Sequence, residues 1–182
     1  FVNASYDVAI LGGGCAGLSA ALWLRQNRPG YRVVILESRE KYVNDRTWCY
    51  WETEEHPFQS LVSHRWQTMD VIDKSGRAQT VQPTYNYAHI SAIDFYQHCE
   101  SVISQAESIE LMKGTPCLRV EKLQNSFKVI HAEGEIQAAF LLDSRPFPSP
   151  GPRLLQHFLG WHVKCEEPIF RNEGMRLMDF SV

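Results

Sequence analysis

Apolar residues along this chain fall into short blocks, and two of them are unbroken. Val8-Ala9-Ile10-Leu11 and Val33-Val34-Ile35-Leu36 carry no polar position, the pattern of strands buried on both faces of a parallel sheet. Between them an apolar helix is predicted over roughly Cys15 to Asn27, stopped by Pro29-Gly30. The pattern then loosens. Asn44 to Trp51 places aromatics on both faces of an extended segment, Leu61 to Val71 forms a further block, Lys74-Ser75-Gly76-Arg77 reads as a hairpin-type turn, and Tyr85 to Ile90 reads as a strand. Together they make a small β excursion over 48–90. Ser91 is placed as the N-cap of a helix running to about Gln105, with Ile93, Tyr96, Val102 and Ile103 on its apolar side.

A strand over Glu107 to Met112 follows, then a strand pair around Leu118-Arg119-Val120 and Phe127-Lys128-Val129-Ile130. The turn Glu133-Gly134 leads into a buried-looking strand, Ala138 to Asp143, and Asp143 ends it on the side where open α/β sheets take their ligands. Prolines at 146, 148, 150 and 152 forbid helix and central strand there, so a domain crossing is expected. The expected organisation is a nucleotide-binding domain over 1–147 and the start of a second, β-rich domain over 148–182. No internal repeat is visible.

The chemistry begins at the loop joining the first strand to the first helix, Gly12-Gly13-Gly14-Cys15-Ala16-Gly17. Gly12 lets the backbone turn out of the strand, Gly14 has no Cβ to hold a pyrophosphate off the main chain, and Gly17 lets helix and strand pack closely. The free N–H groups of Cys15, Ala16 and their neighbours, with the positive end of the helix dipole, face the phosphates. Glu37 lies 20 residues beyond Gly17 and ends the second strand, where a carboxylate accepts hydrogen bonds from ribose hydroxyls and repels a 2′-phosphate. A glycine loop alone is weak evidence. Here a strand precedes it, a helix follows it, and an acid stands at the right distance, which is the context of a dinucleotide-binding βαβ unit.

Composition narrows the setting. The 182 residues are 44% hydrophobic, enough for one substantial core and part of a second. A net charge of −3 with no long basic run leaves no electrostatic footprint for nucleic acid. Cys15, Cys49, Cys99, Cys117 and Cys165 are odd in number and scattered, which fits a reducing, cytoplasmic compartment. The seven histidines have no ligand spacing, so no metal site is expected. No apolar stretch approaches the roughly 20 residues that span a bilayer. The first residue, Phe1, and a strand-like ending at Val182 suggest a piece of a longer chain.

Five blocks resemble one family: Asp7 to Ser19, Asn44 to Glu52, Ile93-Asp94-Phe95-Tyr96, Leu154 to Trp161, and Leu177-Met178-Asp179-Phe180. In order and in sequence they are similar to the bacterial flavin-dependent lycopene β-cyclases, from the first strand to Val182. The arginine-threonine-tryptophan, leucine-glutamine-histidine-phenylalanine and methionine-aspartate blocks are far more specific than the glycine loop, which many flavoproteins share.

The resemblance implies an α/β fold: a Rossmann-like FAD-binding domain with the start of a β-rich substrate domain. It implies an enzyme, an isomerase of carotenoid biosynthesis, that closes the ψ-ends of lycopene into β-ionone rings. The reaction has no net redox change but needs reduced FAD, with NAD(P)H as electron source. Cofactor contacts are expected at Gly12, Gly14, Cys15, Ala16, Gly17, Glu37, Arg46 and Asp143. For Arg46 the competing expectation is an ion pair with Asp45 or Glu52, and Asp143 meets Ser144-Arg145-Pro146 where the family more often continues with glycine.

The family's acid-base carboxylate lies beyond the methionine-aspartate block. Asp179 is therefore the nearest catalytic candidate, with a turn or cap role as its alternative. Trp48, Tyr50, Trp51 and Trp161 could face a hydrocarbon cation or simply fill a core. An insoluble carotenoid implies peripheral association with the inner face of the cell membrane, and Leu154, Leu155, Phe158, Leu159 and Trp161 could form an apolar patch there. Two other readings stay open: an FAD-dependent ring hydroxylase or geranylgeranyl-reductase-like oxidoreductase, and a truncated nucleotide-binding fragment without catalysis.

Overall fold

A computed structural model describes residues 4–146, 151, 160, 163, 165–167, 169 and 174–181. The elements run β1 (Ala4–Leu11), α1 (Cys15–Asn27), β2 (Val33–Leu36), β3 (Thr47–Trp51), β4 (His64–Trp66), β5 (Thr68–Ile72) and β6 (Ala78–Val81). Then come β7 (Tyr87–Ser91), α2 (Ala92–Ser104), β8 (Ile109–Met112), β9 (Arg119–Lys122), β10 (Phe127–His131), β11 (Gly134–Asp143) and β12 (Gly174–Asp179). They form two compact units: residues 1–45 with 92–147, and residues 46–91 with 148–182.

The first unit is built on a six-stranded sheet ordered β8-β2-β1-β11-β10-β9. β8, β2, β1 and β11 are parallel, while β10 and β9 extend the sheet antiparallel. The unbroken apolar runs are explained by their place in it. Ala9, Leu11, Val34 and Leu36 join Val129, Ile136 and Ala138 in a core on one face. The alternating Val8, Ile10, Val33 and Ile35 must point to the other face, where α1 packs on β1 and β2, and α2 packs on β8. All eight are buried, as a strand covered on both sides requires.

α2 corrects one expectation. Its buried residues are Ala92, Phe95, Tyr96, Cys99 and Ile103, a stripe at helical spacing, while Ile93 and Val102 are only half-buried. The helix begins directly out of β7, and its second N–H, that of Ile93, donates to Asn44 Oδ1 at 3.4 Å. That junction sets the phase of the helix and brings Phe95 and Cys99 inward.

The second unit contains two three-stranded sheets, β12-β5-β6 and β3-β7-β4. β5 and β6 form the hairpin around Lys74 to Arg77, where Asp73 Oδ1 accepts the Ser75 and Arg77 N–H groups and Gly76 takes a φ of +80°. β12 lies parallel to β5, so strands about a hundred positions apart in sequence become neighbours.

Candidate functional site

Strand order locates the site. From β1 the chain passes to β2 on one side, and β11 later occupies the other side, so the carboxyl ends of β1 and β11 flank a topological switch point. Register pairs Leu11 with Asp143 at that edge, and the glycine loop leaves β1 there.

The loop's three key glycines each have a distinct geometric reason. Gly12 has φ +96°, a left-handed conformation that side chains rarely adopt. A Cβ on Gly17 would overlap the Gly12 carbonyl oxygen outright, so only glycine lets the first turn of α1 sit on the loop. A Cβ on Gly14 would meet nothing within 4 Å, which leaves its Cα facing open space. Gly14 is also the N-cap of α1, with no side-chain capping bond and no acidic residue in the first turn. The amides of Cys15, Ala16 and Gly17 therefore keep their hydrogen-bonding capacity, and the dipole's positive end is not neutralised. α2, by contrast, carries Asp94 in its first turn.

Glu37 follows β2 and is 4% exposed. Its Oε2 accepts the Gly13 N–H at 2.8 Å, and Oε1 accepts the Arg39 N–H at 2.8 Å. The Arg39 guanidinium closes on the same carboxylate, Nε to Oε1 at 3.1 Å and Nη2 to Oε2 at 3.0 Å. Burial alone would raise the Glu37 carboxyl, but the bonds and charge of Arg39, with the Gly13 N–H, outweigh it and hold the group below the ordinary carboxylate range. Both oxygens are taken, so a ribose hydroxyl reaches Glu37 only by exchange with one of these donors.

Residues that sequence reasoning did not single out complete the frame. Arg39 Nη1 donates to Tyr96 Oη at 3.0 Å and reaches Asp45 at 3.2 Å. Its guanidinium carbon lies 4.9 Å from the Tyr42 ring centre and 5.0 Å from that of Tyr96, and the two rings stack at 4.2 Å. Tyr42, 9% exposed, donates its hydroxyl to the Gly13 carbonyl at 2.9 Å. Glu-x-Arg after an apolar strand was the available signal for Arg39, whereas nothing local marks Tyr42 or Tyr96.

Asp143 sits at the switch point, as expected from its place at the strand end. Arg145 holds it by Nε to Oδ1 at 2.9 Å and Nη2 to Oδ2 at 2.8 Å, which lowers its carboxyl pKa. The next residue, Ser144, places its Oγ 2.9 Å from the Leu11 carbonyl oxygen and 3.0 Å from that of Gly12.

Gly12, Gly14, Cys15, Ala16, Gly17, Glu37 and Asp143 thus belong to one unit, at one end of one sheet, whereas Arg46 and Asp179 belong to the other unit. Arg46 is exposed just before β3. Asp45 also meets Arg39 at 3.2 Å, and Glu52 meets Arg65 at 2.8 Å. Asp179 Oδ1 accepts both the N–H and the hydroxyl of Ser181, at 3.0 and 2.6 Å, and Oδ2 meets Arg176 at 3.1 Å. The Ser181 bonds, with Arg176, hold its carboxyl below the ordinary range, in the geometry of a turn residue.

The β3 aromatics divide by strand alternation. Register places Trp51 beside Tyr87 and Trp66 on one face of the β3-β7-β4 sheet, with Trp48 and Tyr50 on the other. Trp51 is 44% exposed, with its ring 5.0 Å from that of Tyr87. His157 and the patch residues Leu154, Leu155, Phe158, Leu159 and Trp161 lie outside the described residues. Among the described residues no group of three or more His, Cys, Asp or Glu could hold a metal ion.

The family whose profile is described as "Lycopene cyclase protein" matches residues 7–182, almost the entire chain. The chain belongs to the lycopene cyclase family. No curated protein matches it in sequence. Solved structures give the fold. The p-nitrophenol 4-monooxygenase PnpA from Pseudomonas putida DLL-E4 aligns with TM-score 0.64 at 13% identity, over 77% of this chain and 41% of that one. CtdE, whose structure is a complex with FAD, aligns with TM-score 0.58 at 17% identity, over 76% and 38%. A geranylgeranyl bacteriochlorophyll reductase-like protein from Thermoplasma acidophilum aligns with TM-score 0.55 at 16% identity, over 77% and 39%. The family member described here spans about two fifths of the length of these three chains.

Proposed function

We propose that this chain is the flavin-binding part of a lycopene β-cyclase, which closes the ψ-ends of lycopene to β-ionone rings with reduced FAD as cofactor and NAD(P)H as electron source. The observation that carries the reading is the family match over 7–182 falling on a loop built to receive a pyrophosphate. The residues fit the dinucleotide half of FAD. Gly14 leaves room, the Cys15 and Ala16 amides donate to phosphate, Gly12 and Gly17 hold the loop against the helix, and Glu37 serves the ribose by exchanging one of its Arg39 or Gly13 donors for a hydroxyl. Asp143, at the end of β11, is assigned to the flavin side, and Arg46 is carried as a cofactor contact by the family resemblance alone. Reduced FAD would supply an electron-rich ring beside the cationic carbon skeleton. Within the second unit, Trp51, Tyr87 and Trp66 form a π-rich surface of the kind that favours cationic charge.

A carotenoid lives in the bilayer, so the reading includes peripheral contact with the membrane surface. No helix among the described residues is long and apolar enough to cross one. Asp179, bonded to Ser181 and Arg176, remains the one weak candidate for acid-base work among the described residues.

The test is expression of the open reading frame in a lycopene-accumulating bacterial host, with pigments separated by chromatography. Conversion to β-carotene upholds the cyclase reading, whereas untouched lycopene beside a well-expressed, flavin-loaded protein defeats it. Substrate-stimulated nicotinamide oxidation without ring formation would mark an FAD-dependent oxidoreductase instead.

A further inference from the structure

Three glycines in succession, Gly12 to Gly14, give the loop more rotational freedom than an anion site tolerates. A flip of the Gly12–Gly13 peptide would break the Gly13 N–H bond to Glu37, and a flip of the Gly13–Gly14 peptide would turn a carbonyl oxygen, with its partial negative charge, toward the phosphates in place of an N–H. The carbonyls are not left free. Gly12 C=O is tucked beneath Gly17 on the first turn of α1, and the single Ser144 hydroxyl proton is shared between it, at 3.0 Å, and the Leu11 carbonyl, at 2.9 Å. Gly13 C=O receives the Tyr42 hydroxyl at 2.9 Å, with Arg39 Nη2 at 3.3 Å. The two hydroxyls come from different segments, one just after β11 and one after β2, and they hold neighbouring carbonyls.

We propose that Ser144 and Tyr42 are positioning residues for dinucleotide binding, which fix the Gly12 and Gly13 carbonyls away from the pyrophosphate so that the Gly13 amide stays on Glu37 and the amides from Gly14 onward point to the pyrophosphate. This rests on the dinucleotide reading of the loop.

The experiment measures FAD and ADP dissociation constants by calorimetry on the whole chain, for the unsubstituted protein and for Ser144→Ala, Ser144→Thr and Tyr42→Phe. Amide hydrogen exchange is read in parallel without nucleotide. Loss of one hydroxyl is expected to weaken both ligands about threefold to tenfold, the scale of one hydrogen bond. Exchange should rise at residues 12–16 while β2 stays protected, and Ser144→Thr should keep the unsubstituted affinity. Unchanged ADP affinity in Ser144→Ala and Tyr42→Phe overturns the proposal. So does a uniform rise in exchange that includes β2, since that is general destabilisation. If the unsubstituted chain binds neither FAD nor ADP, the dinucleotide reading falls and the proposal falls with it.

Discussion

Alanine at Gly17 and at Gly14 should separate folding from binding, because the two glycines stand in opposite surroundings. At Gly17 the new methyl would overlap the backbone oxygen of Gly12 and come within 3.1 Å of Ser144 Oγ. A backbone oxygen cannot rotate aside as a side chain does, so the helix must lift or the loop must re-form. Overpacking of this kind costs about 1–3 kcal/mol. Replacing glycine inside a helix returns up to about 1 kcal/mol through propensity. With a backbone atom as the obstacle, the upper part of the range applies, and the net loss should be about 2 kcal/mol. For a chain of this size that lowers the thermal midpoint by roughly 4–8 °C. At Gly14 the same methyl meets nothing within 4 Å. The backbone there, φ −82° and ψ −168°, is one any residue adopts. Alanine is a poorer N-cap than glycine, so stability should fall by less than about 1 kcal/mol. Its methyl would nevertheless occupy the space in front of the free amides, and FAD affinity should drop about tenfold or more, about 1.4 kcal/mol or above. Urea denaturation and calorimetric titration of both variants read the two quantities. Equal stability of Gly17→Ala and the unsubstituted protein would refute the close packing. FAD affinity within twofold in Gly14→Ala would show that no phosphate approaches that Cα.

The parallel core was legible because buried parallel strands need unbroken apolar runs, and the bounds Cys15–Asn27 and Val33–Leu36 fall where the pattern places them. Gly12 and Gly17 were legible for a similar reason: positive φ and close approach leave only one residue type. What the sequence did not disclose depends on partners far along the chain. Arg39 meets Tyr96 57 positions downstream, and no local pattern encodes that contact, so the aromatic frame behind the Glu37–Arg39 pair could not be foreseen. Asp143 was placed at the right strand end, yet its engagement by Arg145 needs a turn back over two residues that periodicity does not describe. The inward face of α2 was read in part: Tyr96 and Ile103 are buried as expected, whereas Phe95 and Cys99 were passed over and Ile93 and Val102 are only half-buried. The strand-to-helix junction at Ala92, which fixes the phase, is a tertiary fact. The division of Trp48 and Tyr50 from Trp51 follows from period two alone and needed only the strand's partners to become definite.

Three further outcomes follow from the same geometry. Phe95→Ala should destabilise the chain by about 3–5 kcal/mol and Ile93→Ala by much less, measured by urea unfolding; equal losses would put the inward face of α2 elsewhere. Arg65→Met breaks the pair with Glu52, but the arginine side chain is 37% exposed, so the loss should stay below about 1 kcal/mol in the same assay. The last concerns pH. The Glu37 carboxyl is lowered in the fold because the Arg39 and Gly13 donors outweigh burial, and that of Asp143 is lowered by Arg145. A depressed carboxyl contributes stability that is fully present above its unfolded value, about 4, and is lost as pH falls through the folded value. Stability should therefore hold from neutral pH to about 5 and decline below about 4 as these groups protonate. Glu37→Gln keeps an oxygen for the Gly13 N–H but removes the charge that Arg39 binds. It should cost about 1–3 kcal/mol at neutral pH and make the remaining acid decline shallower. Urea midpoints of both proteins across the acid range decide the matter. If the two decline in parallel, Glu37 is not one of the carboxylates whose protonation unfolds this chain, and the Arg39 contact does not govern its titration.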